Sequence, residues 1–143
     1  NPKAFIITTV SPVRHLKDGF VDNNLSKAHL ITAIHQVLSS ESLLKTLFYF
    51  PSYEMMMDEL RDYRFYKEDM IHPNNTAVSI IWEAFNKAWI SSKTEPLQKA
   101  ILTIQSSLKH KPFNPNSEDH LLFIKDLEAK ISLIKKDVPH IKF

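Results

Sequence analysis

An aspartate and a histidine stand three residues apart, at Asp69 and His72, in front of Pro73 and the polar turn Asn74-Asn75-Thr76. An imidazole can take a proton from a hydroxyl when a carboxylate holds its other nitrogen. A short D-x-x-H turn brings both groups to one side of the backbone. We therefore interpret the pair as the acid and the base of a hydrolase.

The same spacing allows other interpretations. Asp69 could cap a turn while His72 is an ordinary, partly buried histidine. With His15 as a third ligand, the pair could hold zinc, since oxygen and nitrogen ligands from two loops are sufficient. Ser11 and Ser52 each follow a predicted strand and could act as nucleophiles, but neither lies in a G-x-S-x-G elbow. We favour the acid-base interpretation and expect neither a metal nor a cofactor.

A strongly apolar helix is predicted directly behind the Asp69 to His72 turn. Asn74 or Asn75 can cap it. Its apolar residues follow the helical period, namely Ala77, Val78, Ile81, Trp82, Phe85, Ala88 and Trp89. The N-terminus of this helix would hold the acid and the base in place.

Two apolar, β-rich runs, residues 4–10 and 44–50, predict strands of a buried sheet. From about Leu25 a helical period predicts a helix that packs on this sheet, with Asn24 or Ser26 as N-cap. Its apolar stripe is Leu30, Ala33, Ile34, Val37 and Leu38. Strand, helix and strand in this order predict a right-handed parallel crossover.

The loop over residues 13–24 follows the carboxyl end of the first predicted strand. Ligands of open parallel sheets bind at that edge. Arg14 and His15 in this loop are therefore weaker candidates for substrate contact, and a solvated connector is the alternative.

Two more helical patterns end the chain. Thr94 can cap the first of them, and Asn116 or Ser117 starts the second. We predict two domains: a partial α/β domain over residues 1–92, and a helical hairpin over residues 93–143 packed on or beside it.

Composition limits the possible partners. The chain has 143 residues, with 18 basic and 16 acidic side chains and a net charge of +2, which predicts no nucleic-acid partner. No apolar run approaches the roughly 20 residues of a membrane-spanning helix, and the N-terminus lacks a signal-peptide pattern. The absence of cysteine excludes disulfides and thiol catalysis. The sequence thus predicts a soluble domain and leaves its compartment undecided.

We expect the chain to be the back part of a longer protein. It enters an apolar run within a few residues of its start, and its single glycine is Gly19, whereas doubly wound domains usually need several. A truncated sheet would expose an open edge and apolar faces, so self-association is expected.

Five segments together resemble the GSCFA family, a branch similar to the SGNH hydrolases. They are residues 9–15 (TVSPVRH), 26–28 (SKA), 49–54 (YFPSYE), 60–66 (LRDYRFY) and 69–73 (DMIHP). The resemblance extends roughly from Phe5 to Phe85. It implies the C-terminal part of a flavodoxin-like, SGNH-type three-layer α/β/α domain, which the helical hairpin would follow.

The resemblance also implies ester hydrolysis or acyl transfer through a Ser-His-Asp arrangement. Asp69 and His72 fall on the D-x-x-H block of SGNH enzymes. Asp69 would orient His72, which would act as base toward the serine and then as acid toward the leaving alcohol. The substrate would be an ester-bearing small molecule or glycan. The Gly-Ser-Cys-Phe-Ala stretch expected to carry the serine does not occur in the sequence, so this chain alone should be inactive.

A second class of function stays open. A non-catalytic binding or scaffold domain could keep the same fold and hold a partner with its loops or its C-terminal helices. Two observations would distinguish the classes: whether Asp69 reaches the imidazole of His72, and whether the loops after the two strands lie beside that imidazole.

Overall fold

The computed structural model describes residues 3–39 and 46–143. This part of the chain is mixed α/β and mostly helical, with one two-stranded parallel sheet. The elements are β1 (Ile6–Thr8), α1 (Phe20–Leu38), β2 (Leu47–Tyr49), α2 (Ser52–Glu54), α3 (Asn75–Trp89), α4 (Glu95–Leu108) and α5 (Glu118–Asp137). The chain divides into two compact units, Asn1–Trp89 and Ile90–Phe143.

Strands β1 and β2 pair in parallel, with Ile7 opposite Phe48 and Thr8 opposite Tyr49. The predicted parallel pairing is confirmed. Both strands are shorter than the predicted runs 4–10 and 44–50, and residues 44 and 45 lie outside the described residues. A proline at position 12 and another at position 51 end the two runs, because proline cannot donate to a strand ladder.

Neighbouring side chains of β2 contact different helices. The ring of Phe48 lies 5.0 Å from that of Trp89 in α3, whereas the ring of Tyr49 lies 5.1 Å from that of His35 in α1. Because successive side chains of a strand point to opposite faces, α1 and α3 lie against opposite faces of the sheet.

Helix α1 begins at Phe20 and not at about Leu25. Gly19 occupies its N-cap position with a φ of 92°, a backbone conformation that glycine adopts without a steric penalty. The prediction that Asn24 or Ser26 caps this helix is therefore wrong, because both lie inside it. Residues 20–24, the end of the predicted loop 13–24, belong to the helix.

The buried side of α1 also differs from the predicted apolar stripe. Leu30 and Val37 are 50% and 45% exposed, whereas Lys27 is only 2% exposed. The ammonium group of Lys27 donates a hydrogen bond to the carbonyl oxygen of Ser11 at 2.7 Å and lies 5.5 Å from the centre of the Tyr53 ring. Burial lowers the pKa of Lys27, because the charged form loses solvation. A lysine thus anchors α1 to the loop after β1.

The core of the first unit lies under the start of α3. It consists of Met56, Leu60, Tyr66 and Ala77, of which Met56 and Ala77 are completely buried. Leu60 ends a single π-helical turn, Met55–Glu59, and Tyr66 follows a 3-10 turn, Tyr63–Phe65. These short turns bring the chain from the sheet to the segment that contains Asp69.

Asn74 starts helix α3, as one of the two predicted caps. Its Oδ1 accepts a hydrogen bond from the backbone N–H of Ala77 at 3.1 Å, and its Nδ2 donates to the carbonyl oxygen of Arg64 at 2.6 Å. Its own backbone N–H donates to the carbonyl oxygen of Phe65 at 2.9 Å. Asn74 therefore joins the helix to the turn that precedes Asp69.

Replacing Asn74 with alanine should lower the free energy of unfolding of the first unit by about 0.5–2 kcal/mol, because an N-cap hydrogen bond is lost. Asn75→Ala is the matched control: Asn75 is exposed and is the first residue of the helix, so its effect should stay within about 0.5 kcal/mol. Urea unfolding followed by tryptophan fluorescence measures both. Equal losses in the two variants would contradict the cap at Asn74.

The second unit contains α4 and α5, whose buried residues Ile104, Leu127 and Ile134 form one core. Ser117 caps α5 by accepting a hydrogen bond from the backbone N–H of His120 at 3.3 Å. Thr94 occupies the N-cap position of α4, but its hydroxyl donates to a carbonyl before the helix and caps nothing. Across residues 3–39 and 46–143, the helices lack the length and apolar character that a membrane-spanning helix needs.

Candidate active site

The segment from Asp69 to His72 forms a tight, exposed turn in which the predicted acid and base meet. Oδ2 of Asp69 lies 2.7 Å from Nδ1 of His72. Oδ1 of Asp69 accepts hydrogen bonds from the backbone N–H groups of Ile71 and His72, both at 2.9 Å. Each oxygen of the Asp69 carboxylate therefore has a partner: two backbone N–H groups for Oδ1 and the imidazole ring for Oδ2.

The backbone of the turn has an uncommon conformation at Met70, where φ is 58°. Non-glycine residues seldom adopt this left-handed region. The backbone N–H of Lys67 donates to the carbonyl oxygen of His72 at 2.8 Å, and a bridge between Tyr66 and Pro73 closes the base of the turn. The reversal at Met70 leaves the next two N–H groups facing Asp69.

These hydrogen bonds determine the protonation of Asp69 and the tautomer of a neutral His72. The backbone N–H groups of His72 and Ile71, followed by the His72 ring, lower the pKa of Asp69 from 3.8 to about 2. The carboxylate is therefore ionised at neutral pH and can only accept hydrogen bonds. The proton of a neutral His72 then resides on Nδ1, and Nε2 is left as the basic nitrogen.

Asp69 should titrate at about pH 2. Because its pKa is lower in the folded protein than in the unfolded chain, its contribution to stability is present above the ordinary value of 3.8 and is lost as the pH falls toward 2. The carbon-13 shift of its carboxyl group, followed by NMR during an acid titration, measures this midpoint. A midpoint near 3.8 would contradict the hydrogen bonds from the two N–H groups.

Solvent reaches the outer side of the imidazole. The side chains of His72 and Asp69 are 51% and 43% exposed. Within the described ranges no protein group forms a hydrogen bond with Nε2 of His72. A hydroxyl group from outside these residues could therefore approach Nε2 directly.

Arg14, in the loop after β1, lies beside the turn. Its guanidinium group is 4.4 Å from the centre of the Tyr66 ring, and its Nη2 donates to the Tyr66 hydroxyl at 3.0 Å. Its Nη1 donates to the carbonyl oxygen of Met70, and its backbone N–H donates to that of Ile71, both at 3.4 Å. This loop therefore reaches the segment between the acid and the base, while contact of Arg14 with substrate stays a prediction.

Among the described residues, His15 forms no metal-binding group with Asp69 and His72. Its backbone N–H donates to Oδ1 of Asn23 at 2.8 Å. Across residues 3–39 and 46–143, no three histidine, aspartate or glutamate side chains are placed to hold a metal ion. The structure therefore does not bring Asp69, His72 and His15 together as the three ligands of a zinc site. Contact of His15 with substrate stays a prediction.

The two serines after the strands have structural hydrogen bonds. Ser52 is 5% exposed; its hydroxyl donates to the carbonyl oxygen of Val10 at 2.8 Å and lies 2.6 Å from that of Thr9. The loops after β1 and β2 are thus joined at the carboxyl ends of the strands. The hydroxyl of Ser11 accepts from the backbone N–H of Val13 at 3.3 Å.

Sequence profiles of known families provide an independent comparison. The profile described as the GSCFA family matches residues 1–85, more than half of the chain. The chain belongs to the GSCFA family. A second profile, described as the C-terminal domain of GSCFA domain proteins, matches residues 101–143. No curated protein and no solved structure matches this chain.

Membership of the GSCFA family confirms the resemblance found in the sequence and extends it. The turn with Asp69 and His72, and the adjacent Arg14, lie within the first matched range. The second match covers all of α5 and part of α4, although the sequence analysis carried the resemblance only to about Phe85.

This GSCFA-family chain also has an apolar hollow that the sequence analysis missed. Its volume is about 440 Å³, within the range of small-molecule sites. It lies beside the residue that follows His72. Apart from Thr9 and Ser52 its lining is apolar and includes Ile7, Phe50, Pro73, Val78, Trp82 and Phe85. The helical spacing of α3 was a possible signal, because Val78 and Trp82 belong to its predicted apolar face and yet are 54% and 52% exposed.

Proposed function

We propose that this chain supplies the acid and the base of a Ser-His-Asp ester hydrolase or acyl-transferase. The observation that carries the proposal is the 2.7 Å contact between Oδ2 of Asp69 and Nδ1 of His72. The carboxylate is ionised and held by two backbone N–H groups, and Nε2 on the far side of the ring is open. This is the arrangement that a general base needs.

In the proposed reaction, Nε2 of His72 takes the proton of a serine hydroxyl while the serine oxygen attacks the carbonyl carbon of an ester. Asp69 stabilises the resulting imidazolium and keeps the ring in place. His72 then gives the proton to the leaving alcohol as the acyl-serine forms. Water or an acceptor alcohol takes over the acyl group in a second, equivalent step.

The serine would come from a segment that precedes this sequence in a longer form of the protein. The support is the content of the sequence: it contains no Gly-Ser-Cys-Phe-Ala stretch, and the described hydroxyls of Ser11 and Ser52 are engaged in other contacts. The substrate that we propose is an ester-bearing small molecule or glycan, since a half-exposed base can act on an external ester.

We further propose that residues 1–92 are the C-terminal part of an SGNH-type three-layer α/β/α domain. Parallel strands with α1 and α3 on opposite faces support this architecture. The loops after β1 and β2 meet through Thr9 and Ser52, and the first of them reaches the Asp69 to His72 turn. In open parallel sheets, sites are built at this edge.

The proposal is tested with a longer form of the protein that includes the upstream segment. This form should hydrolyse p-nitrophenyl acetate, and a fluorophosphonate reagent should label one serine of that segment. The matched control is the chain of residues 1–143, which should show neither property. If the longer form shows neither turnover nor labelling, the hydrolase proposal is wrong and the binding function is favoured.

A non-catalytic binding or scaffold function is the second candidate, and a different observation favours it. Val78 and Trp82 of α3 are 54% and 52% exposed beside the apolar hollow. Exposed apolar side chains that adjoin one another are typical of protein contact surfaces. They also support the self-association predicted from the sequence.

A further inference from the structure

We propose that Arg14 is a positioning residue for His72: it holds the Asp69 to His72 turn in the conformation in which the carboxylate reaches the imidazole. The consequence for catalysis rests on the proposed hydrolase function. The contacts of Arg14 themselves are independent of that function.

The turn needs support from outside itself. Residues 67–70 are all exposed, and Met70 has a φ of 58°. A non-glycine residue keeps such a conformation only where its surroundings determine it. The bonds of Asp69 to Ile71 and His72 lie within the turn, so they shape it without tying it to the rest of the molecule.

Arg14 supplies a connection to the core. Its guanidinium group stacks on Tyr66, which is 5% exposed and belongs to the core cluster, and hydrogen-bonds the Tyr66 hydroxyl. From this position it donates to the carbonyl oxygen of Met70, while its backbone N–H donates to that of Ile71. Arg14 therefore holds both Met70 and Ile71, the two residues between Asp69 and His72. The two 3.4 Å bonds are long, so the joint action of these contacts matters more than either bond alone.

Arg14 is itself well placed for this task. Within the described ranges its guanidinium group has no carboxylate partner, and its charge faces the Tyr66 ring and a carbonyl oxygen. The other end of its loop is fixed by Lys27, whose ammonium group bonds the carbonyl oxygen of Ser11. A planar guanidinium can donate to the Tyr66 hydroxyl and the Met70 carbonyl at once, whereas one ammonium group cannot cover both positions while stacking.

The first test is NMR of the intact protein with nitrogen-15-labelled histidine. In the wild type, the Nδ1 proton of His72 should give a downfield signal at low temperature, because Asp69 accepts its hydrogen bond. In Arg14→Ala this signal should be lost, and in Arg14→Lys it should be only partly retained. Arg61→Ala is the matched control, because Arg61 is an exposed arginine next to the core residue Leu60. An unchanged His72 signal in folded Arg14→Ala protein would overturn the proposal.

Tyr66→Phe gives a second test that does not depend on the folding of Arg14→Ala. This variant keeps the ring beneath the guanidinium group but removes the hydroxyl that Nη2 bonds. The Nδ1 proton of His72 should then exchange faster with solvent than in the wild type. An exchange rate equal to that of the wild type would overturn the proposal.

Kinetics in the longer, serine-bearing form separates positioning from substrate contact. Arg14→Ala should lower kcat by roughly 10- to 100-fold with KM nearly unchanged, because misplacing a catalytic group slows the chemical step. A higher KM at unchanged kcat would overturn the positioning role and assign Arg14 to substrate contact. If no form hydrolyses esters, the hydrolase proposal fails, whereas the NMR result still decides whether Arg14 holds the turn.

Discussion

Replacing His72 with alanine should lower kcat/KM for ester hydrolysis by roughly 10²- to 10⁴-fold in the serine-bearing form of the protein, the effect of removing a general acid-base group. The hydroxyl nucleophile would lose the nitrogen that takes its proton, and the leaving alcohol would lose its proton donor. Folding should be little affected, because the side chain is half exposed and its ring bonds only Asp69 among the described residues.

The matched control for this experiment is His29→Ala. His29 is an exposed histidine of α1, and its removal should change kcat/KM by less than about twofold, as expected for a surface substitution. Added imidazole should restore part of the turnover of His72→Ala, because the cavity left by the ring is open to solvent. Equal turnover in the wild type and in His72→Ala would remove His72 from the mechanism.

The parts of the candidate site that depend only on neighbouring residues could be predicted from the sequence. Asp69 and His72 are three residues apart, and Asn74 stands directly before an apolar run of helical period. A turn and a helix cap depend on neighbouring residues only. The contact of Asp69 with the His72 ring and the cap at Asn74 were therefore both expected, and both occur.

Helix α1 shows where local patterns are insufficient. Its start depends on Gly19, whose positive φ lets the chain enter the helix before the apolar period begins. Its buried side depends on Lys27, which bonds a carbonyl oxygen sixteen residues away in the chain. Hydrophobic periodicity does not predict a buried lysine. The predicted buried side of α1 therefore contained Leu30 and Val37, which are about half exposed.

Arg14, which lies at the candidate site, is a second residue for which local patterns are insufficient. Its position in a loop after a strand indicated a candidate for substrate contact, and no local pattern connects it with the acid and the base. Its partners Tyr66 and Met70 are 52 and 56 residues away in sequence, and only the tertiary fold brings them to Arg14. A role that arises from tertiary contacts leaves little trace in the spacing of a single sequence.

Replacing Leu60 with alanine should lower the free energy of unfolding of the first unit by about 2–5 kcal/mol, the cost of truncating a buried leucine. Leu60 is 4% exposed and packs in the cluster that contains Tyr66 and Ala77. The truncated side chain would leave a cavity beside the ring on which Arg14 stacks. The substitution should therefore loosen the Asp69 to His72 turn as well as destabilise the fold.

Leu30→Ala is the matched control, since the same atoms are removed from a side chain that is 50% exposed, and its cost should stay below about 1 kcal/mol. Tryptophan fluorescence during urea unfolding reports on the first unit alone, because both tryptophans of the chain, Trp82 and Trp89, lie in α3. Equal losses in the two leucine variants would show that the core does not lie under the start of α3. A loss confined to Leu60→Ala, together with faster exchange of the His72 ring proton, would show that the acid-base turn depends on this core.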